Sequence, residues 1–425
     1  MALIINISGV VQTPTVDYTV SGTTLTFTTA PPSGTNNITV QNFGSAGVIN
    51  VPADGSVTTS KIVDGSVTAA KMANSGYEFG MRNRIINGAM MIDQRNAGAS
   101  YSLVTGGYIN DRFYTNINPG SGHTGQRVPT VPNGNLTNSL KLTVGTGATA
   151  TAVQQARLVH SIEGYNIADL GWGTASAQAI TLSFWVRSSV TGTYAVGFAN
   201  DANNYSYVAT YTINQADTWE YKTITVVGPT SGTWLTDNNR GIKIAWGLGA
   251  GSNYQTTAGT WASGGDYYSV SGAANWIGTS GATFYITGVQ LEKGSVATPF
   301  EFRPYGQELA LCQRYLPAFN STAAGQDVAW GYMPISTLGW LFMNFTVTAR
   351  VPPTGIYVPD ATKFNITWQG GFGGNILAGN LTFSSAGINA GRIAAVVAGA
   401  PTTGCGAHLN ANASGAQILF TGCEL

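Results

Sequence analysis

The chain has 425 residues, enough for two to four domains, yet only 9% of them are charged and the formal net charge is +0. That balance removes the electrostatic case for a nucleic-acid or anionic-membrane partner. No Lys or Arg precedes Lys61, so no Sec-type signal peptide is expected, and no apolar run approaches the ~20 residues that span a bilayer.

With 55 glycines and 16 prolines in a background of Thr, Ser, Asn and Val, the composition describes short strands joined by tight turns, an all-β chain. Three alternating runs open it: Ile5 to Val11, Tyr18 to Thr28 and Asn37 to Phe43. Gly22 breaks the second into a hairpin, and Ala30-Pro31-Pro32-Ser33-Gly34 makes the next turn. Two ten-residue units follow, DGSVTTSKIV from Asp54 and DGSVTAAKMA from Asp64. Their apolar residues Val57, Ile62, Val67 and Met72 recur every fifth position, which is neither a helical nor a strand period. Two units are too few to stack as a solenoid, so burial of the stripe calls for other copies of the chain. The competing description is a flexible Ser/Thr/Gly linker.

The segment RNRIINGAMMIDQRNAG, Arg82 to Gly98, concentrates charge around Ile85, Ile86, Met90 and Met91. It reads as an extended strap whose arginines pair with carboxylates or carbonyls at a domain or subunit junction. From Tyr101 to Phe302 strand signals come at intervals of roughly ten residues, as in a two-sheet sandwich. The clearest are Ile180 to Arg187, Thr193 to Ala199, Ser206 to Ile213, Trp219 to Val227, Ile242 to Leu248 and Ala282 to Leu291. In ITLSFWVR, Leu182, Phe184 and Val186 share one face and Ser183, Trp185 and Arg187 the other. Gln307 to Leu316 predicts a helix stopped by Pro317, with Leu309, Cys312 and Leu316 as an apolar stripe offered to partner chains. Residues 318–425 predict a second β unit.

Several of these phrases resemble bacteriophage tail-fibre and receptor-binding fibre proteins. GVVQTPTVDYTVSGTTLTFTTAPPSGTNNITV is similar to their amino-terminal attachment segments, and the DGSVT decads to their shaft repeats. The strap resembles the head of their receptor-binding part. SFWVRSSVTGTYAVGFAN, TWEYKTITV and the segment from Phe284 to Leu316 resemble their carbohydrate-binding-like jelly roll. The resemblance implies an N-terminal β attachment unit (1–44), a repeat shaft and strap (45–100), a jelly-roll sandwich (101–302), a helical neck (303–317) and a C-terminal β tip (318–425). The two apolar stripes, which both require partners, predict a homotrimer with Val57, Ile62, Val67, Met72, Leu309, Cys312 and Leu316 as contacts. The implied partners are further copies of itself, other tail or capsid proteins through the N-terminal unit, and a bacterial surface glycan. The implied location is the virion surface, after assembly in the bacterial cytoplasm. A capsid decoration or head fibre is the alternative.

No catalytic constellation emerges. His123, His160 and His408 lie in separate segments, and no HExxH, GxSxG or phosphate-binding loop is present. Asp201, Asp217, Asp237 and Asp266 are available in loops for a polysaccharide depolymerase, or for a structural calcium, but each sits as an isolated turn residue. The expectation is no enzyme and no cofactor. Cys312, Cys405 and Cys423 fit neither a disulfide framework nor a zinc site and read as unpaired small hydrophobes. Aromatics are the stronger signal, because neutral sugars offer C–H faces to rings and hydroxyls to polar neighbours. Most should be core. The expected exposed ones are Trp234, Trp261, Tyr267 and Tyr268 in sandwich loops, and Trp330 and Tyr332 at the tip.

Overall fold

The computed structural model describes residues 2–43, 81–132, 134–368, 375–398 and 401–425. The decad stripe Val57, Ile62, Val67 and Met72 lies outside them. The chain divides into two units, residues 1–73 and 74–425.

In the first unit, Ala2–Ile7 is the central strand of a three-stranded antiparallel sheet, flanked by Val10–Gln12 and Ile38–Phe43. Tyr18–Ser21 and Thr24–Phe27 form the hairpin, and Gly22 turns it with φ +60°. Alternation sends Ile5 and Ile7 to one face, where they meet Tyr18.

The second unit is nearly all β, as its composition requires. Its first body is a two-sheet sandwich. One sheet runs Glu220–Val226, Ile180–Ser188, Thr283–Lys293, Ser139–Thr143, Thr124–Val128 and Tyr101–Ser102. The other runs Trp261–Ser263, Tyr205–Ile213, Gly192–Ala199, Arg240–Ala250, Gln155–Glu163, Phe113–Ile117 and Gly107–Asn110. Leu182, Phe184 and Val186 are buried between the sheets with Phe198, Trp246 and Phe284. Trp185 and Arg187 face outward and remain partly accessible.

The strap belongs to this body. Ile85 and Met90 enter the sandwich core. Gly88 lies so close to the Thr283–Lys293 strand that a Cβ would stand 2.1 Å from the Val289 carbonyl oxygen. Its arginines find the expected partners: Arg84 grips Asp169 through two bonds of 2.8 Å, Arg82 donates to the Pro299 carbonyl at 2.7 Å, and Arg95 pairs with Glu424.

The helix spans Tyr305–Gln313, beginning two residues earlier than the sequence suggests and ending three sooner. Two of its three stripe residues are buried within this chain. Cys312 packs with Ile86, Ile92 and Tyr315, Leu309 flanks them, and Leu316, beyond the helix, is 1% exposed. Cys312 and Leu316 are therefore corrected from subunit contacts to residues buried within their own chain, Cys312 against the strap.

The last body is a closed six-stranded antiparallel barrel, in the order Gln326–Ile335, Leu338–Asn344, Ala390–Val397, Asn375–Ala386, Phe364–Trp368 and Gly406–Ala411. Closure leaves no open edge. Met333, Leu341, Ile366, Ile393 and Leu409 fill the interior. A small sheet of Ala318–Asn320, Gln417–Thr421 and Gly355–Tyr357 adjoins it.

Candidate functional site

The sandwich aromatics separate by what their polar atoms do. Trp172, Trp234 and Trp261 form a cage with ring centroids 4.6 to 5.5 Å apart, and Tyr205 stacks on Trp261 at 5.6 Å. Every indole N–H in the cage is already used: Trp172 donates to the Gln178 carbonyl, Trp234 to Ser231 and Trp261 to Val227. Trp234 is 8% exposed and Tyr268 is fully buried, so both are corrected from exposed candidates to structural residues. Their loops are rich in glycine but fold back on the seven-stranded sheet. Tyr267 is half-buried, and at Gly197 a Cβ would meet its carbonyl oxygen at 2.5 Å.

The four loop aspartates are each committed elsewhere. Asp201 pairs with Arg240 at 3.2 Å, Asp217 with Arg187 at 3.4 Å, and Asp237 accepts from Asn239. Asp266 accepts from Lys243 at 2.6 Å and Arg157 at 2.7 Å. Burial alone would raise the Asp266 carboxyl, but the two cations overcome it and hold it below its ordinary value. Among the described residues, no group of three or more His, Cys, Asp and Glu is placed to hold a metal ion. The histidines also stay apart. His123 ties a turn through Pro119 and Gly145, His160 is buried against Phe113, and His408 lies on the barrel 3.9 Å from Asp327.

The barrel presents a different picture. Alternation buries Ala329, Met333, Leu341 and Met343 and turns Trp330, Tyr332, Trp340 and Phe342 to the outer wall. The register sets Trp330 opposite Phe342 and Tyr332 opposite Trp340. The Tyr332 and Trp340 rings lie 5.8 Å apart at 80°. On the adjoining strands His408 stands opposite Trp330, and Arg392 opposite Phe342. The Arg392 guanidinium covers the Trp340 ring at 4.5 Å and is steadied by a bond from its Nε to Ser384. The row from His408 to Arg392 crosses four strands, about 14 Å at the usual strand spacing. Trp330 is 60% exposed. Neither its indole N–H nor the Tyr332 hydroxyl makes a hydrogen bond among the described residues.

A continuous aromatic strip on the wet side of an antiparallel sheet does nothing for the core beneath it. Rigid faces flanked by free donors can stack on sugar C–H surfaces and bond to hydroxyls. Sequence reasoning found Trp330 and Tyr332 but not their extension by Phe342 and Arg392. In LGWLFMN nearly every residue is apolar, so the outward face shows only once the partner strands are known.

No family model matches the chain, and no curated protein does. Among solved structures, the chain is similar to the enzymatically active domain of tailspike protein 4 of bacteriophage CBA120, at 14% identity and TM-score 0.29 over 50% of this chain and 21% of that one. The chain thus spans about a fifth of that domain's length. It is also similar to the family 11 carbohydrate-binding module of Clostridium thermocellum in complex with a mixed-linked tetrasaccharide, at 13% identity and TM-score 0.24 over 48% of this chain and 100% of the module. A third likeness is to TmCBM61 in complex with β-1,4-galactotriose, at 12% identity and TM-score 0.25 over 50% and 99% of the two chains.

Proposed function

We propose that this chain is a non-catalytic adhesin that recognises a neutral surface glycan, with the barrel strip Trp330, Tyr332, Trp340 and Phe342 as its contact surface. The observation that carries the reading is the strip itself: four aromatic side chains in cross-strand register on the outer wall, with unbonded donors on Trp330 and Tyr332. The four loop aspartates are held by their own partners, which favours binding over turnover. The fibre-like N-terminal segment, the decads and the strap support a place for it in a homotrimeric bacteriophage fibre. There the N-terminal unit attaches to tail or capsid proteins, and the barrel is exposed on the virion.

Binding of the full chain to immobilised host polysaccharide tests this. Trp330→Ala with Tyr332→Ala should markedly weaken adsorption while the thermal unfolding midpoint stays within a few degrees, since both residues are exposed. Adsorption unchanged by the double variant sinks the assignment. Release of oligosaccharides by the wild-type chain promotes the depolymerase reading instead.

A further inference from the structure

The outward face of the six-stranded sheet holds a hollow that the barrel strip leaves unexplained. Its origin is a bulge. The pairing of Ile180–Ser188 with Thr283–Lys293 shifts between Ser183 and Trp185, so that Ser183 faces Gln290 while Trp185 faces Thr287. Gly288 lies in the shifted stretch with φ +60°, and a Cβ there would stand 3.2 Å from both the Trp185 ring and Leu136. The missing side chain leaves an open hollow of about 370 Å³, near the lower end of the range for small-molecule sites.

Two pairs of rings wall it. Trp185 and Tyr221 are cross-strand partners, with centroids 5.2 Å apart and planes inclined at 49°. Phe300 and Phe302, on the segment that leaves the sandwich, meet edge to face at 5.0 Å. Asn135, Leu136, Gly288 and Pro299 complete the lining, which contains no Asp, Glu, Lys, Arg or His. Neither the Trp185 indole N–H nor the Tyr221 hydroxyl has a hydrogen-bond partner among the described residues, in contrast to the three indoles of the tryptophan cage.

We infer that this hollow is a second binding site, independent of the barrel strip, that takes one neutral hexose unit. The rings supply faces for the sugar's C–H groups, and Trp185 Nε1 and Tyr221 Oη supply hydrogen bonds to its hydroxyls. An uncharged lining gives a carboxylate-bearing sugar no cation to offset its lost hydration, so uronates are excluded. Because sandwich and barrel belong to one compact unit, the two sites would let one chain grip a polysaccharide twice.

Ligand-observed NMR on the full chain tests the assignment, with methyl glycosides of neutral hexoses and of a hexuronate as probes. At least one neutral glycoside should bind and no hexuronate should. Binding should weaken at least about tenfold in Trp185→Ala and persist in the Trp330→Ala, Tyr332→Ala double variant, which separates this site from the barrel. Tyr221→Phe preserves the ring and removes one hydrogen bond, and should weaken binding severalfold, within the range for a neutral hydrogen bond. If Trp185→Ala misfolds, Tyr221→Phe decides alone. Failure of every neutral glycoside to bind, equal binding of the hexuronate, or affinity unchanged in Tyr221→Phe overturns the inference. So does a change of oligomeric mass in Trp185→Ala, which would make the hollow a seam between subunits.

Discussion

The Tyr315 hydroxyl donates to the Glu163 carboxylate at 2.6 Å, and the same carboxylate takes two bonds from Arg314, at 2.9 Å from Nε and 2.5 Å from Nη2. Glu163 ends the Gln155–Glu163 strand and is buried, whereas Arg314 and Tyr315 directly follow the helix. One side chain thus locks the sandwich to the segment that leads into the barrel. Glu163→Ala leaves Arg314 without its counter-charge and the Tyr315 hydroxyl without an acceptor. The expected cost is about 3 kcal/mol, toward the low end for a broken buried pair because Arg314 keeps some contact with water. A downward shift of the urea midpoint at unchanged slope checks it. Glu163→Gln, which keeps an acceptor for Tyr315, should lose less.

The Asp266 cluster gives the protein an acid limit. The native carboxyl titrates below its ordinary value of 3.8, so the native state binds fewer protons than the unfolded state in the window between the two values. Its contribution is therefore full above that window and lost as pH falls through the native value. Asp266→Asn should remove this part of the acid sensitivity. It should also destabilise the protein at neutral pH, because Arg157 loses its counter-ion and Lys243, whose ammonium burial already pushes down to about 7, loses its carboxylate partner. Unfolding midpoints measured from pH 7 to pH 2 should show wild type and variant converging toward the acid end. Parallel curves would exclude the cluster as the cause.

What the sequence revealed follows from how far each signal reaches. Period-two alternation is local, so ITLSFWVR showed its inward face correctly, and Gly22 marked its turn. Pairing is not local. Trp185 acquires meaning only beside Tyr221 and Phe302, and Trp330 only beside Phe342. The strand Gln155–Glu163 went unseen because Arg157, His160 and Glu163 spoil its apolar pattern. All three are buried, and each is bonded from a distant element, by Asp266, the Ile86 carbonyl and Arg314. Trp234 and Tyr268 were misjudged for the opposite reason. Their glycine-rich loops have the composition of exposed segments, yet the glycines allow close docking on the sheet.

That docking can be tested at Gly197, where an added Cβ would lie 2.5 Å from the Tyr267 carbonyl oxygen and 2.6 Å from Tyr268 Cα. Both are backbone atoms, so the covering segment must move as a whole. Gly197→Ala should cost about 1–3 kcal/mol, as overpacking does. It should also open cleavage sites between residues 251 and 275 to limited proteolysis while the barrel stays resistant. A cleavage pattern identical to wild type would mean that the segment yields without leaving the sheet.

Leu316 decides between two uses of the neck. If the stripe Leu309, Cys312 and Leu316 were a subunit seam, Leu316→Asp would yield a folded, separated chain. The packing says otherwise, since Leu316 is 1% exposed within its own chain while Leu309 is half-buried. An unpaired carboxylate forced into that position costs several kcal/mol of folding free energy wherever the subunits meet. Leu316→Asp should therefore unfold the second unit by circular dichroism and near-UV signal, equally at all protein concentrations, and Leu309→Asp should do so far less. Light scattering on the wild-type chain supplies the companion measurement: the proposed trimer requires three times the 44.3 kDa chain mass. A folded Leu316→Asp chain at the single-chain mass would return the neck to the subunit interface.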